Sequence, residues 1–144
     1  YMLWRDEAAR LKGLLNSDEY VLEMWKLKSC DVLYIDDFWK AEKGKRPTAG
    51  DIHLAFELLN SRYAARKKTI LSCEYDMNGL LQIDEATGSR IYERTRGFRV
   101  EISPGKEKNW RLKAWTYQNR LPGVDDEKSR KPPGALDEKG HRAT

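Results

Sequence analysis

The sequence predicts an α/β fold with a parallel sheet, and three observations lead to this prediction. An apolar run, Val32-Leu-Tyr-Ile35, is followed directly by Asp36 and Asp37. A second β-type run over residues 69–73 ends in Glu74. The segment between the two runs has the length and apolar face of a helix, so a right-handed β-helix-β crossover makes the strands parallel neighbours. Because the carboxyl ends of parallel strands share one edge, the three carboxylates are expected to lie together.

Composition and cysteine usage limit the class of protein. With 144 residues, 40% hydrophobic content and five tryptophans, the chain is expected to form one core. Cys30 and Cys73 lie in apolar segments without CxxC spacing, which indicates a reduced cytoplasmic chain rather than a disulfide or metal site. There is no membrane-length apolar run and no signal-peptide pattern. A net charge of +4 permits nucleic-acid contact without requiring it.

The first elements are predicted from capping residues and apolar spacing. Residues 1–4 resemble the end of a strand, and Asp6 is expected to cap a short helix through Leu15. Ser17 is expected to cap a second helix. In that helix, Trp25 belongs to an apolar stripe that also contains Val21 and Leu22, which predicts a core position for the indole.

The central strand is predicted to be covered on both faces, because residues 32–35 lack polar alternation. Residues 39–50 follow as a polar, exposed loop. Thr48 or Asp51 can cap the next helix, which ends before the basic residues 66–68. His53 on this helix has no partner at metal-ligand spacing and is assigned a surface or packing role.

The remaining elements are a turn, a helix and a hairpin. Residues 76–79 predict a turn, and a helix starting near residues 87–89 places Arg90 and Arg94 on one face. The alternative for these arginines is a solvated face paired with Glu93. Apolar and polar residues alternate strictly over residues 97–102, and a shorter alternating run follows over residues 109–113. This pattern predicts a β-hairpin. Residues 121–144 have the composition of a disordered charged tail.

Adjacent carboxylates at the end of a buried strand suggest a chemical role. One of the two carboxylates, Asp36 or Asp37, can hold a hydrated magnesium ion, while its neighbour orients or deprotonates a water molecule. A buried strand that ends in two acids is the Walker B pattern of P-loop ATPases. The alternative is a strand followed by an acidic turn, and these residues alone do not separate the two interpretations.

Several linked motifs between Asp51 and Lys113 carry a resemblance to a known family. They are Asn60-Ser-Arg-Tyr63, Lys68-Thr-Ile-Leu-Ser72, Ile83-Asp-Glu-Ala86 and Gly88-Ser-Arg-Ile-Tyr-Glu-Arg94, followed by the predicted hairpin. In this order and spacing the chain resembles the phage and bacterial helicase-loader ATPases of the DnaC/IstB type, within the AAA+ class. The resemblance implies a P-loop NTPase core with helices on both faces of the sheet, with residues 1–120 as its C-terminal part and the hairpin at its end.

The resemblance also implies roles for individual residues. The Walker B strand falls on residues 33–37, where Asp36 binds Mg²⁺ and Asp37 is catalytic, and Glu74 takes the sensor 1 position beside ATP. Arg90 corresponds to the arginine finger, which acts in trans in a homo-oligomer, and Arg94 to a second functional arginine. The implied partners are a replicative helicase and single-stranded DNA in a bacterial or phage-infected cytoplasm.

Two departures from the family pattern affect these expectations. The sequence contains no GxxxxGK[ST] loop, since its Gly-Lys pairs occur only at Gly44-Lys45 and Gly105-Lys106. We therefore expect the chain to be the C-terminal portion of a loader whose phosphate-binding loop lies upstream. Glu74 stands where many AAA+ proteins have Asn, and an ionised carboxylate can only accept hydrogen bonds.

Two alternative functions remain open from the sequence. The first is an accessory ATPase of a transposition system, which belongs to the same family and shares its core motifs. The second is a non-catalytic fragment that binds single-stranded DNA through charge and through stacking on Trp39. The basic residues for that role are Lys43, Lys45, Arg46, Arg66, Lys67 and Lys68.

Overall fold

A computed structural model describes residues 1–103 and 105 of the chain. Its helices and strands all lie in one compact unit, Tyr1–Glu101. In chain order they are β1 (Met2–Leu3), α1 (Trp4–Gly13), α2 (Asp18–Ser29), β2 (Val32–Asp36), α3 (Ala49–Ala64), β3 (Lys68–Leu71), α4 (Met77–Ile83) and α5 (Glu85–Arg94).

The sheet confirms the predicted α/β class. Its three described strands are all parallel and lie in the order β1-β2-β3. Ile35 in β2 pairs with Met2 on one side and with Leu71 on the other. The predicted β-helix-β unit is therefore present, with α3 connecting two neighbouring strands.

One face of the sheet carries the core, so the prediction that β2 is covered on both faces is wrong for the described residues. Leu33 and Ile35 are buried, whereas Val32 on β2 and Ile70 on β3 are 54% and 56% exposed. Successive side chains of a strand point to opposite faces, and the buried residues of α1, α2 and α3 cluster with only one of these faces. Apolar runs alone did not reveal this alternation.

Helix α1 begins earlier and ends earlier than predicted. It starts at Trp4, so Asp6 lies inside the first turn and does not cap the helix. Its N-cap residue is Leu3, which makes no side-chain capping bond, and the helix ends at Gly13 instead of Leu15. Asp6 still lies where a negative charge favours the helix dipole.

Helix α2 has the predicted cap but a different buried face. Ser17 Oγ accepts a hydrogen bond from the Tyr20 amide at 3.1 Å, which confirms the cap. Trp25 is 62% exposed, so its predicted core position is wrong. The residues of α2 that face the core are Tyr20, Met24 and Leu27, spaced four and three residues apart. Trp25 directly follows Met24, so the helical rotation between successive residues turns its side chain away from the core.

Helix α3 is fixed at its start by a reciprocal capping box. Thr48 Oγ1 accepts from the Asp51 amide at 3.2 Å, and Asp51 Oδ2 accepts from the Thr48 amide at 2.9 Å. Both predicted caps are therefore used. Lys12 of α1 adds an ion pair to Asp51 at 2.6 Å. His53 is exposed on this helix, in agreement with the predicted surface role.

A short helix, α4, replaces the predicted turn at residues 76–79, and α5 is the predicted helix that carries Arg90 and Arg94. Asp76 caps α4 by accepting from the Gly79 amide, and Asp84 caps α5 by accepting from the Thr87 amide, each at 2.7 Å. The Asp84 cap starts α5 before the predicted range of 87–89. A Cβ atom at Gly88 would lie 3.0 Å from the Leu81 backbone, so glycine permits the close packing of α4 and α5.

The predicted hairpin is not formed in its described part. Residues 97–103 contain no strand, and Phe98, Val100 and Ile102 are largely exposed. The second predicted strand, residues 109–113, and the predicted tail, residues 121–144, lie outside the described residues. In the described part of the chain, no helix is both long and apolar enough to cross a membrane.

Candidate functional site

Asp36 is held by four hydrogen-bond donors where β2 ends. Its Oδ1 accepts from Tyr34 Oη at 3.0 Å, from the Asp37 amide at 3.1 Å and from Ser72 Oγ. Its Oδ2 accepts from Tyr1 Oη at 3.0 Å. The hydrogen bonds from Ser72, Tyr1 and Tyr34 lower the pKa of Asp36 below its ordinary value. The carboxylate is therefore ionised and fixed in orientation.

The turn after β2 directs two aromatic rings inward. Asp37 and Trp39 adopt left-handed backbone conformations with φ of 53° and 58°, which are uncommon for residues other than glycine. Phe38 and Trp39 stack at 4.6 Å between ring centroids, and both are fully buried. Trp39 is therefore unavailable for stacking on a nucleic-acid base, which corrects the proposed DNA-binding role of this ring.

Lys40 joins the two strand ends. Its ammonium group lies 3.2 Å from the Asp37 carboxylate and 3.0 Å from the Glu74 carboxylate. The hydrogen bonds to Glu74 and Asp37 raise the pKa of Lys40. The predicted approach of Glu74 to the end of β2 is present for Asp37, to which Glu74 is linked through this lysine.

Sequence reasoning missed Ser72, Tyr34 and Lys40 as parts of this site. The parallel register gives a signal for Ser72, because pairing of Ile35 with Leu71 makes Ser72 the lateral neighbour of Asp36. Alternation along β2 gives a signal for Tyr34, which shares a face with Asp36. Lys40 has no such signal, since its position depends on the left-handed turn.

The Asp36 carboxylate is suited to be one ligand of a magnesium ion whose other ligands are phosphate oxygens and water molecules. A carboxylate offers about four acceptor positions, so Oδ2, which accepts one hydrogen bond, retains a free one. Mg²⁺ is commonly bound by one or two carboxylates together with substrate phosphates. Among the described residues no group of three or more His, Cys, Asp or Glu side chains is arranged to hold a metal.

Arg90 is fixed in orientation by contacts with α3 and α5. Its Nε donates to Asn60 Oδ1 at 2.9 Å, and its Nη1 donates to the Ala86 carbonyl at 2.6 Å. The guanidinium carbon also lies 5.2 Å from the ring centroid of Phe56 and 5.8 Å from that of Tyr63. Arg90 is therefore an ordered, half-buried group and not a freely solvated side chain.

Glu93 does not neutralise the two arginines of α5. It accepts a hydrogen bond from Tyr63 Oη at 2.7 Å. Within the described residues neither Arg90 nor Arg94 forms an ion pair, so the alternative prediction of pairing with Glu93 is wrong. Arg94 is exposed on the last turn of α5. Arg90 contacts residues of α3 and α5, and these contacts do not include Asp36, Asp37 or Glu74.

The six basic residues proposed for DNA binding occupy two segments. Lys43, Lys45 and Arg46 are exposed in the loop between β2 and α3, whereas Arg66 and Lys67 lie between α3 and β3 and Lys68 is the first residue of β3. Acidic neighbours engage two of them, since Lys45 pairs with Glu42 at 2.6 Å and Lys67 with Asp31 at 2.7 Å. These ion pairs reduce the positive charge that either segment presents.

Arg62 has a role that sequence reasoning missed. It is 1% exposed, and its guanidinium donates to the carbonyls of Leu27 at 2.7 Å, Cys30 at 2.9 Å and Lys68 at 2.5 Å. Its Nε donates to Thr69 Oγ1 at 2.9 Å. Arg62 therefore ties the end of α2 to the segments that precede β2 and begin β3.

The comparisons with known proteins provide two relatives. The chain is 39% identical over 113 residues to the phage-like element PBSX protein XkdC of Bacillus subtilis (strain 168), covering 76% of this chain and 40% of that protein. It is 33% identical over 102 residues to the uncharacterized protein YqaM of the same strain, covering 69% of this chain and 33% of that protein. The chain thus spans well under half the length of either relative. No family model and no solved structure matches it.

Proposed function

We propose that this chain is the C-terminal part of an AAA+ ATPase of the helicase-loader type, which hydrolyses ATP with Mg²⁺. The observation that carries the proposal is the acidic edge formed by Asp36, Asp37 and Glu74 at the carboxyl ends of β2 and β3. The edge combines the ordered carboxylate of Asp36 with the neighbouring carboxylate of Asp37. This arrangement suits phosphoryl transfer, in which catalysis consists mainly of positioning and charge stabilisation.

The proposed reaction is attack of water on the terminal phosphorus of ATP. The new P–O bond forms as the bond to the bridging oxygen breaks, which releases ADP and phosphate. Asp37 would accept the proton of the attacking water, and Asp36 would hold the magnesium ion. The metal supplies charge neutralisation for the phosphate oxygens. Lys40 must release Asp37 for this step, because its ammonium group competes for the same carboxylate.

In the proposal, the longer protein supplies the phosphate-binding loop that the 144-residue sequence does not contain. The relatives extend well beyond the matched region, which leaves room for an upstream phosphate-binding loop. Arg90 then acts in trans on the ATP of a neighbouring subunit, with Arg94 beside it. Among the described residues, the contacts of Arg90 do not include Asp36, Asp37 or Glu74, which supports action outside its own chain.

The proposed partners are a replicative helicase and single-stranded DNA. The relative XkdC is named as a protein of a phage-like element, which supports a phage-related origin for this chain. Loop residues such as Lys43 and Arg46 are exposed and available for contacts with a DNA backbone. The cell compartment of such a protein is the bacterial cytoplasm.

Mixing two inactive variants of the longer protein tests the proposal. Asp37→Asn leaves a dead site with an intact arginine, and Arg90→Ala leaves an intact site without its arginine. We expect each variant alone to lose ATPase activity by about 10³-fold or more, and the mixture to regain activity at interfaces that combine the two intact parts. Samples shown to co-assemble but without recovered activity would contradict the trans role of Arg90.

A second measurement tests the acidic edge itself. Calorimetry with ATP and Mg²⁺ should show little affinity for the 144-residue chain, because the amides that cradle phosphates are expected upstream. Micromolar binding by the 144-residue chain would contradict a conventional P-loop site. In the longer protein, Asp37→Asn should retain ATP binding, whereas Asp36→Asn should weaken binding that depends on magnesium.

A further inference from the structure

Asn60 makes a direct contact with the proposed trans-acting arginine. Its side-chain oxygen accepts the Arg90 Nε hydrogen at 2.9 Å, across the packed surfaces of α3 and α5. We infer that Asn60 is the positioning residue that orients Arg90 toward the phosphate of a neighbouring subunit. This inference rests on the function proposed above and adds the group that prepares the arginine for it.

The hydrogen bonds of Arg90 leave one side of the guanidinium free. The group has five N–H donors, of which Nε and one on Nη1 are engaged by Asn60 and Ala86. The second hydrogen of Nη1 and both hydrogens of Nη2 are not among the hydrogen bonds that Arg90 makes to the described residues. These three donors suit a bidentate contact with a phosphate group.

Two aromatic rings further restrict the arginine. The guanidinium carbon lies within 6 Å of the ring centroids of both Phe56 and Tyr63, at 5.2 Å and 5.8 Å. Tyr63 is itself fixed by its hydrogen bond to Glu93 at 2.7 Å. Asn60 also sets the orientation of the Arg90 guanidinium group, because a hydrogen bond from Nε restricts the rotation of the guanidinium plane.

The amide of Asn60 is suited to this task because it is uncharged. It accepts the hydrogen bond without neutralising the guanidinium, so the positive charge remains available for a developing phosphate charge. A carboxylate at the same position would form an ion pair with Arg90 and compete with the phosphate. Replacing Asn60 with Leu would remove the acceptor of the Nε hydrogen at similar volume and leave the Ala86 carbonyl as the remaining hydrogen-bond acceptor of Arg90.

Nuclear magnetic resonance of the 144-residue chain tests the contact without any ATPase measurement. The Arg90 Nε–H signal, assigned by its loss in Arg90→Lys, should exchange with water more slowly than those of exposed arginines. In Asn60→Leu, its exchange should accelerate to the rate of exposed arginines, while the signals of other arginines stay unchanged. A fast-exchanging Arg90 signal before substitution would overturn the inference.

ATPase measurements on the longer protein test whether Asn60 acts on the reaction through Arg90. We expect Asn60→Asp to lose about ten- to a hundred-fold in ATPase rate, with ATP binding and melting temperature retained. Asn78→Asp is the matched control, because it makes the same amide-to-acid change at an exposed position of α4 and should leave the rate unchanged. A parental rate in Asn60→Asp would overturn the inference.

Mixing experiments separate a positioning role from a structural one. Asn60→Asp subunits keep their own site but present a neutralised arginine, so activity should return on mixing with Asp37→Asn and should not return with Arg90→Ala. Recovery with Arg90→Ala, or failure with both, would overturn the inference. If Asp37→Asn and Arg90→Ala also fail to complement each other, the proposed function itself falls, and the positioning role falls with it.

Discussion

Arg62 on helix α3 and Arg90 on helix α5 differ in what their guanidinium donors reach. Arg62 is buried at 1% exposure and donates to four backbone carbonyls and a threonine hydroxyl. Arg90 is half-buried and donates to one side chain and one carbonyl. Neither forms an ion pair with a carboxylate among the described residues.

The difference shows that free donors, and not charge alone, distinguish a structural arginine from a candidate functional one. The donors of Arg62 satisfy carbonyls near the end of α2, before β2 and at the start of β3, where an unpaired buried acceptor would be costly. The free donors of Arg90 have no such structural task. Substitutions should therefore separate the two arginines by their effects on stability.

The largest expected effect on stability belongs to Arg62→Met. This change leaves the partly buried carbonyls of Leu27, Cys30 and Lys68 without the guanidinium, and we expect the free energy of unfolding to fall by about 3–5 kcal/mol. Urea denaturation of the 144-residue chain measures it. Arg66→Met is the matched control at an exposed position and should change stability by about 0.5 kcal/mol or less. Equal effects of the two substitutions would remove the distinction drawn for Arg62.

A smaller effect is expected from Thr48→Ala at the start of α3, the helix that holds both arginine environments. Loss of the capping hydroxyl should cost about 1 kcal/mol, because the Asp51 amide loses its acceptor. Thr48→Ser keeps the hydroxyl and should retain most of the stability. Thermal unfolding that ranks Ala and Ser alike would show that the cap contributes little.

The pH dependence of stability should report on Asp51 in the same cap. Burial opposes ionisation, but the bonds from Lys12 and Thr48 lower the pKa of Asp51 below its ordinary value. A lowered folded-state pKa gives stabilisation that is complete above the unfolded-state pKa of about 4 and is lost as pH falls through the folded-state pKa. The stability gap between the parent and Asp51→Asn should therefore narrow below about pH 4 in urea titrations. A gap that stays constant with pH would contradict this origin.

The smallest effect on stability is expected from Arg90→Met. Methionine keeps an apolar contact with Phe56 and Tyr63, and no buried carbonyl network depends on the guanidinium. We expect a change of about 0.5 kcal/mol or less in the 144-residue chain. A loss comparable to that of Arg62→Met would make Arg90 a structural residue and weaken its proposed role in trans.

The sequence by itself determined the parallel β-helix-β unit, the cap of α2 and the presence of a cap at Thr48 or Asp51 for α3. The caps depend on signals within a few residues, such as a hydroxyl three positions before the amide it binds. It also predicted that Asp37 and Glu74 approach each other, because parallel strands bring their carboxyl ends to one edge. Local chemistry and connectivity were sufficient for these parts.

Only the tertiary structure decided which faces are buried and which polar groups meet. Trp25 belongs to a plausible apolar stripe, yet the core packs on the stripe that contains Met24. The bonds from Arg62 to Leu27 and from Arg90 to Asn60 join residues 35 and 30 positions apart. Such contacts depend on how helices dock against one another, and a local spacing pattern carries no information about the partner across that interface.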